Sequence, residues 1–146
     1  MFTHDPHHGM SMLVVAKLAR LIGADQLHIG AIFGKMKGEK KEVEHIGEVI
    51  TDEDSHTALS ESWEGVNPVF PVCSGGLSPL VIDKLIDVMG SDIIIQAGGG
   101  VHGHPKGTIA GAKAMRQALD AVLMGVPIRQ YASTHVELRE AIEKWG

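Results

Sequence analysis

Two glycine-rich turns carry the strongest chemical signal in the chain. Ser74-Gly75-Gly76 and Gly98-Gly99-Gly100 each follow a run with strand character. Glycine lets backbone N–H groups approach an anion closely, and a helix start beyond the turn adds favourable partial charge. Each N–H donated to a phosphate contributes about 1.5–3 kcal/mol. Either turn alone also serves as a plain tight turn. Both together, at successive strand ends, favour phosphate binding. His28 ends a third strand candidate, where an imidazole either contacts a phosphate or is a satisfied structural residue. Lys35 lies in a loop punctuated by Gly30, Gly34 and Gly38. A lysine on such a lid reaches over a bound anion and excludes water on closure, unless it is simply a solvated surface residue.

Other reactive side chains carry less. His4, His7 and His8 cluster near the start, with no Cys beside them, and are not read as a metal site. His102 and His104 flank Gly103 and precede Pro105, which fits a role in shaping the loop. Cys73 reads as a small buried hydrophobe. No nucleophile elbow, P-loop or dinucleotide fingerprint is present.

The elements that must hold these residues follow from apolar patterning. Met10 to Ile22 reads as a largely buried helix stopped by Gly23, with Lys17 and Arg20 as its polar marks. Gln26 to Ile29 is a short strand, and Lys40 to Asp52 a charged helix. The polar stretch Asp52 to Asn67 is an irregular connection that Trp63 tucks against the body. Val69 to Cys73 is a strand, although Pro71 cannot donate to a central ladder. Ser78-Pro79 then starts a helix over Leu80 to Met89. Asp92 to Ala97 has the β-branched run of a strand buried on both faces. An irregular VHGHPKG segment leads to a helix over Thr108 to Met124. A last helix, Val136 to Trp145, is expected to be capped by Ser133 or Thr134.

Strands alternating with helices predict α/β structure with a parallel sheet. Three such units fit part of a (β/α)8 barrel or a small open sheet. A complete barrel takes about 250 residues, and this chain has 146. In either architecture the ligand lies beyond the carboxyl ends of the strands.

Composition narrows the functional classes. The chain suffices for one domain, and its 4% aromatic content leaves the core to Ile, Leu, Val, Ala and Met. A formal net charge of -5 argues against nucleic acid or anionic membrane as a partner. A single Cys excludes an internal disulfide. No apolar run approaches a membrane span, and the first residues lack a secretory signal. The expected setting is cytoplasmic.

Three segments, GADQLHIGAIFGKMKGE (23–39), PVFPVCSGGL (68–77) and DIIIQAGGGVHGHPKG (92–107), resemble in order and spacing the ribulose-1,5-bisphosphate carboxylase/oxygenase (RuBisCO) large subunit at barrel strands six, seven and eight. HGMSMLVVAKLARLIG resembles the helix before strand six. The Lys-Met after the lid glycine is similar to the archaeal type, which is linked to nucleotide salvage. The resemblance implies a partial (β/α)8 barrel, with residues 1–146 as the C-terminal part of the barrel domain and the N-terminal domain and early strands absent. It implies that Lys35 is the catalytic lid lysine that steadies CO2 and the carboxylated intermediate. His28 would lie at one phosphate and Ser74 on a sugar hydroxyl. Gly75, Gly76, Gly98 and Gly99 would cradle the other phosphate, with Gln96 at its base. The family reaction enolises ribulose bisphosphate on Mg2+, adds CO2, hydrates, and cleaves to two 3-phosphoglycerates.

The family's carbamylated lysine and acidic Mg2+ ligands belong to an earlier strand, and no aligned residue here replaces them. The resemblance therefore implies a segment of a carboxylase that needs other large-subunit segments or copies, in a dimer-based oligomer, to act. A RuBisCO-like enolase or isomerase segment and a non-catalytic phosphosugar-binding remnant are the alternatives. Open strand edges further predict a free chain that is marginally stable or self-associates.

Overall fold

The computed structural model describes residues 3, 5, 7–33, 40–52, 54–55 and 61–146. Helix α1 (Met12–Leu21) leads to strand β1 (Gln26–Gly30) and helix α2 (Lys40–Thr51). A two-residue antiparallel pair, β2 (Asp54–Ser55) and β3 (Glu61–Ser62), lies within the expected irregular connection. Strand β4 (Phe70–Ser74), a 3-10 turn over Pro79–Val81 and helix α3 (Ile82–Met89) follow. Strand β5 (Ile94–Gln96) is succeeded by helices α4 (Gly99–His102), α5 (Thr108–Leu123), α6 (Ile128–Tyr131) and α7 (Val136–Trp145).

The sheet has the order β1-β4-β5 and is parallel throughout. Parallel neighbours need a crossover, and α2 and α3 supply the two. Pro71 sits in the central strand, paired with Leu27 of β1. The β4–β5 ladder begins one residue later, at Val72↔Ile94, so at Pro71 the strand has a single neighbour. That is how the central strand tolerates a residue with no N–H.

Side chains alternate across a strand, and registered partners share a face. One face, with Pro71, Cys73 and Ile95, packs under the helices. Its core joins Ile29, Val43, Ile46, Ile50, Val69, Cys73, Leu77 and Leu85. A second cluster, around Ile82, Ala118, Ala121 and Leu138, fixes α5 and α7 to this layer. The other face, with Gln26, His28, Phe70, Val72, Ile94 and Gln96, is largely open: Phe70 is 54% exposed and Ile94 38%, while Val72 between them is buried. The reading of 92–97 as buried on both faces is therefore corrected. Its β-branched run forms a three-residue edge strand with one uncovered side.

The helix ends also depart from expectation. Ser11 caps α1 by accepting from the Val14 N–H at 3.3 Å. Ser78 makes no side-chain cap bond, because the chain enters α3 through the 3-10 turn. Ser133 and Thr134 do not cap α7; their hydroxyls donate to the carbonyls of Gln130 and Tyr131. The N–H of Leu138 instead donates to Gln117 Oε1 on α5, at 3.0 Å. The segment after Gly98 contains α4 rather than wholly irregular chain. Trp63 is buried, and it secures the 61–67 segment as expected.

Candidate functional site at the strand ends

Parallel register aligns the carboxyl ends of the three strands on one edge. Ser74, the last residue of β4, pairs with Gln96, the last of β5. On the other side His28 pairs with Val72, and a register shift before Gly30 turns the chain out of β1. His28 Nδ1 and Ser74 Oγ lie 3.1 Å apart in a hydrogen bond. The ring nitrogen either accepts the hydroxyl proton or donates to the hydroxyl oxygen. In the first state Nε2–H and the lone pairs of Oγ remain free for a ligand.

The two glycine turns lie beside this pair. Gly75 and Gly76 have φ of 119° and 70°, left-handed backbone that side-chain-bearing residues rarely adopt. The SGG sequence is thereby explained by the sharp turn out of β4. Gly98 sits at the N-cap of α4, with Gly99 the first helical residue. The first N–H groups of a helix have no intrahelical acceptor. A Cβ on Gly98 or Gly99 would meet nothing within 4 Å, so packing does not dictate glycine at either position. Gly100 differs. A Cβ there would overlap the Leu77 carbonyl and press on Ser78, so the second turn is docked directly against the first. The sequence assigns the cradle to Gly98 and Gly99 and gives no sign of a packing role at Gly100 itself. The nearby signal is the apolar Leu77 closing SGGL, which is fully buried.

His28, Ser74, Gly75, Gly76, Gln96, Gly98 and Gly99 thus all lie at the sheet's carboxyl edge. Lys35, with Gly34 and Gly38, lies outside the described residues. The described edge offers imidazole, hydroxyl, carboxamide and backbone N–H, and no carboxylate. Among the described residues no group of three or more His, Cys, Asp or Glu side chains could hold a metal ion. The edge is chemically an anion or polyol surface.

Neighbouring histidines are structural. His104 is buried; its Nε2–H donates to the Glu137 carbonyl at 2.9 Å, and Nδ1 accepts from the Lys106 N–H at 3.1 Å. His102 Nδ1 bonds Thr108 Oγ1 at 3.1 Å, at the start of α5. Both hold the loop from α4 to α5, as their positions around Gly103 suggested. Burial pushes the Cys73 thiol up to about 11, which makes it an inert core residue.

The family model of the ribulose bisphosphate carboxylase large chain, catalytic domain, matches residues 1–145. The chain belongs to this family. A ribulose bisphosphate carboxylase of Methanosarcina mazei is 53% identical over 150 residues, covering 99% of this chain and 35% of that protein. The octameric Rubisco of Pyrococcus horikoshii superposes with a TM-score of 0.86 at 45% identity, over 98% of this chain and 32% of that one. The dimeric Rubisco of Hyperthermus butylicus gives 0.88 at 44% identity, over 99% and 35%. The chain therefore spans about a third of the length of the relatives it matches. Among the described residues no helix is long and apolar enough to cross a membrane.

Proposed function

We propose that residues 1–146 form the C-terminal part of a Rubisco barrel domain, contributing strands six, seven and eight of a (β/α)8 barrel. β1, β4 and β5 take those places. The open sheet face with Phe70 and Ile94 supports this reading, since in a closed barrel it faces the packed interior. Among the described residues the outer edges of β1 and β5 are unpaired, and that is where the barrel would continue.

In the complete enzyme, carboxylation of ribulose 1,5-bisphosphate with CO2, followed by addition of water and cleavage, yields two 3-phosphoglycerates. The chain's share is substrate grip. Gly75, Gly76, Gly98 and Gly99 offer backbone N–H groups to one phosphate, with Gln96 at its base. Ser74 binds a sugar hydroxyl, and His28 orients the sugar near the other phosphate. Lys35 is the lid lysine that steadies CO2 and the carboxylated intermediate. The observation that carries this reading is the docking of the two glycine turns through Gly100 and Leu77, beside the His28–Ser74 bond.

The residues present do not fit the family's Mg2+. That ion requires oxygen ligands in near-octahedral geometry, and these strand ends offer no carboxylate. Enolisation belongs to a site completed by other large-chain segments. Octameric and dimeric relatives support a dimer-based oligomer. Kinship with archaeal enzymes supports a cytoplasmic role in nucleotide salvage.

The test is complementation. The chain is co-expressed with a second polypeptide carrying the remaining strands and the N-terminal domain of an archaeal large chain. Labelled CO2 should enter 3-phosphoglycerate only when both are present. Ser74→Ala should raise KM for the bisphosphate by about tenfold, the loss of one good hydrogen bond. A soluble complex that enolises without fixing CO2 would favour a RuBisCO-like activity. A complex that binds the bisphosphate without turnover would favour a binding remnant.

A further inference from the structure

The amino-terminal end of the sheet holds a polar cavity. It has a volume of about 670 Å³ and is lined by Arg20, Thr51, Ser62, Trp63, Glu64 and Asn67, among others. Phe70 begins β4 just beyond it, and the Phe70 N–H donates to the Asp25 carbonyl ahead of β1. The length of β4 therefore separates this cavity from Ser74.

Arg20 is 1% exposed. Its Nη1 donates to the carbonyls of Val49 at 2.9 Å and Asp52 at 2.7 Å, and its Nη2 to that of Val66 at 3.1 Å. The guanidinium carbon stands 4.3 Å from the centroid of the Trp63 ring. Burial lowers the guanidinium pKa and the charge of Asp52 raises it, and the group stays protonated. Two donors are left over. Arg20 Nε–H and the indole Nε1–H of Trp63 are buried with no hydrogen-bond partner. Buried donors are nearly always satisfied, and these two belong to residues lining one cavity. Around them Thr51, Ser62 and Asn67 add neutral polar groups. Glu64 and Asp52 are the acids at hand, with both residues exposed.

We infer that this cavity binds a small oxyanion, a carboxylate or a phosphate, whose oxygens accept from Arg20 Nε–H and Trp63 Nε1–H. The guanidinium lies over the indole ring, and the two unpaired donors match a ligand that brings only acceptors. The site is independent of the strand-end grip and of the reading given to it.

The test follows the two indole N–H resonances of the full chain by two-dimensional NMR, assigned with Trp145→Phe. Sodium phosphate and sodium acetate are titrated separately, against sodium chloride at matched ionic strength. The Trp63 resonance should shift saturably with one or both oxyanions, while that of Trp145 stays in place. Response to phosphate alone identifies a phosphate site, and response to acetate identifies a carboxylate site. Arg20→Lys keeps the charge but loses the Nε donor and the fork that holds the Val49, Asp52 and Val66 carbonyls, so binding should weaken by at least about tenfold in a variant whose cooperative melt is checked first. Asn67→Ala, on an exposed residue, should weaken it severalfold with the fold unchanged. Ser74→Ala should leave the Trp63 response intact. A Trp63 resonance that moves no more than in chloride would overturn the inference. So would a response abolished by Ser74→Ala, or one unaffected by both cavity variants.

Discussion

Gly100→Ala is the sharpest perturbation of the strand-end architecture. The added methyl would overlap the Leu77 carbonyl and crowd Ser78 Cα. Both obstacles are backbone, so no side-chain rotation relieves them. α4 has little room to retreat, because the Val101 carbonyl already lies against Gly111 of α5, where a Cβ would also overlap. Overpacking of this kind costs about 1–3 kcal/mol, and the blocked retreat places Gly100→Ala near the upper end. Alanine returns up to about 1 kcal/mol through helix propensity. The net loss is then about 2 kcal/mol, a fall in Tm of roughly 4–8 °C for a chain of this length. Gly99→Ala is the internal control. Its Cβ meets open space, so stability should hold or rise by up to about 1 kcal/mol. In the complemented enzyme the same methyl crowds the proposed phosphate cradle and should weaken bisphosphate binding by about tenfold. Urea denaturation of the two variants beside the parent supplies the stability comparison. Gly100→Ala unfolding at the parent midpoint would refute the docking argument. Equal destabilisation by both variants would refute the distinction between the two glycines.

Other expectations concern stability and reactivity. Arg20→Met strands three carbonyls that now accept from one guanidinium and should cost more than about 4 kcal/mol, read as loss of the cooperative melt. Hydrogen bonding from Gln117, then from its own backbone, holds the Glu137 carboxyl down at about 2, with Lys113 adding a smaller pull. A depressed folded pKa stabilises above the unfolded value, so this contribution is complete above about pH 4.5 and lost as pH falls towards 2. Gln117→Ala should move the Glu137 midpoint up towards the ordinary carboxylate range, as read by NMR titration, and should flatten the acid limb of stability. Cys73 should resist iodoacetamide at pH 8 in the folded chain and react once urea unfolds it. Rapid labelling under native conditions would contradict its burial.

Much of the fold is written in local signals. The β-branched run at 92–97 and the apolar runs before Gly30 and Ser74 mark the strands. Gly90 and Gly125, both with positive φ, mark helix ends. The alternation of elements then dictates a parallel sheet, and with it a functional edge where His28, Ser74 and Gln96 meet. What could not be read depends on partners distant in sequence. Gln117 caps a helix through Leu138, 21 residues further on, and a glutamine in mid-helix carries no sign of that. Arg20 reads as a polar mark on an apolar helix, yet it is buried because the carbonyls of Val49 in α2, Asp52 just after it and Val66 converge on it. The β-branched run at 92–97 points to two buried faces, whereas a part of a barrel leaves its inner face uncovered, and Ile94 follows the second. Hydrophobic pattern reports what a strand is built to bury, and this sheet leaves one side uncovered.

The bridge from Gln117 has a wider consequence. Its carboxamide accepts from Leu138 N–H through oxygen and donates to Glu137 Oε2 at 2.9 Å through nitrogen. The carboxy-terminal helix thus adds to its own first-turn acid, Glu137, a cap borrowed from α5. Fraying at the start of α7 therefore breaks two bonds to the same α5 side chain at once. Amide exchange at Leu138 should therefore proceed at the pace of mid-α5 amides, making the last third of the chain one cooperative foldon rather than a body with a loose tail.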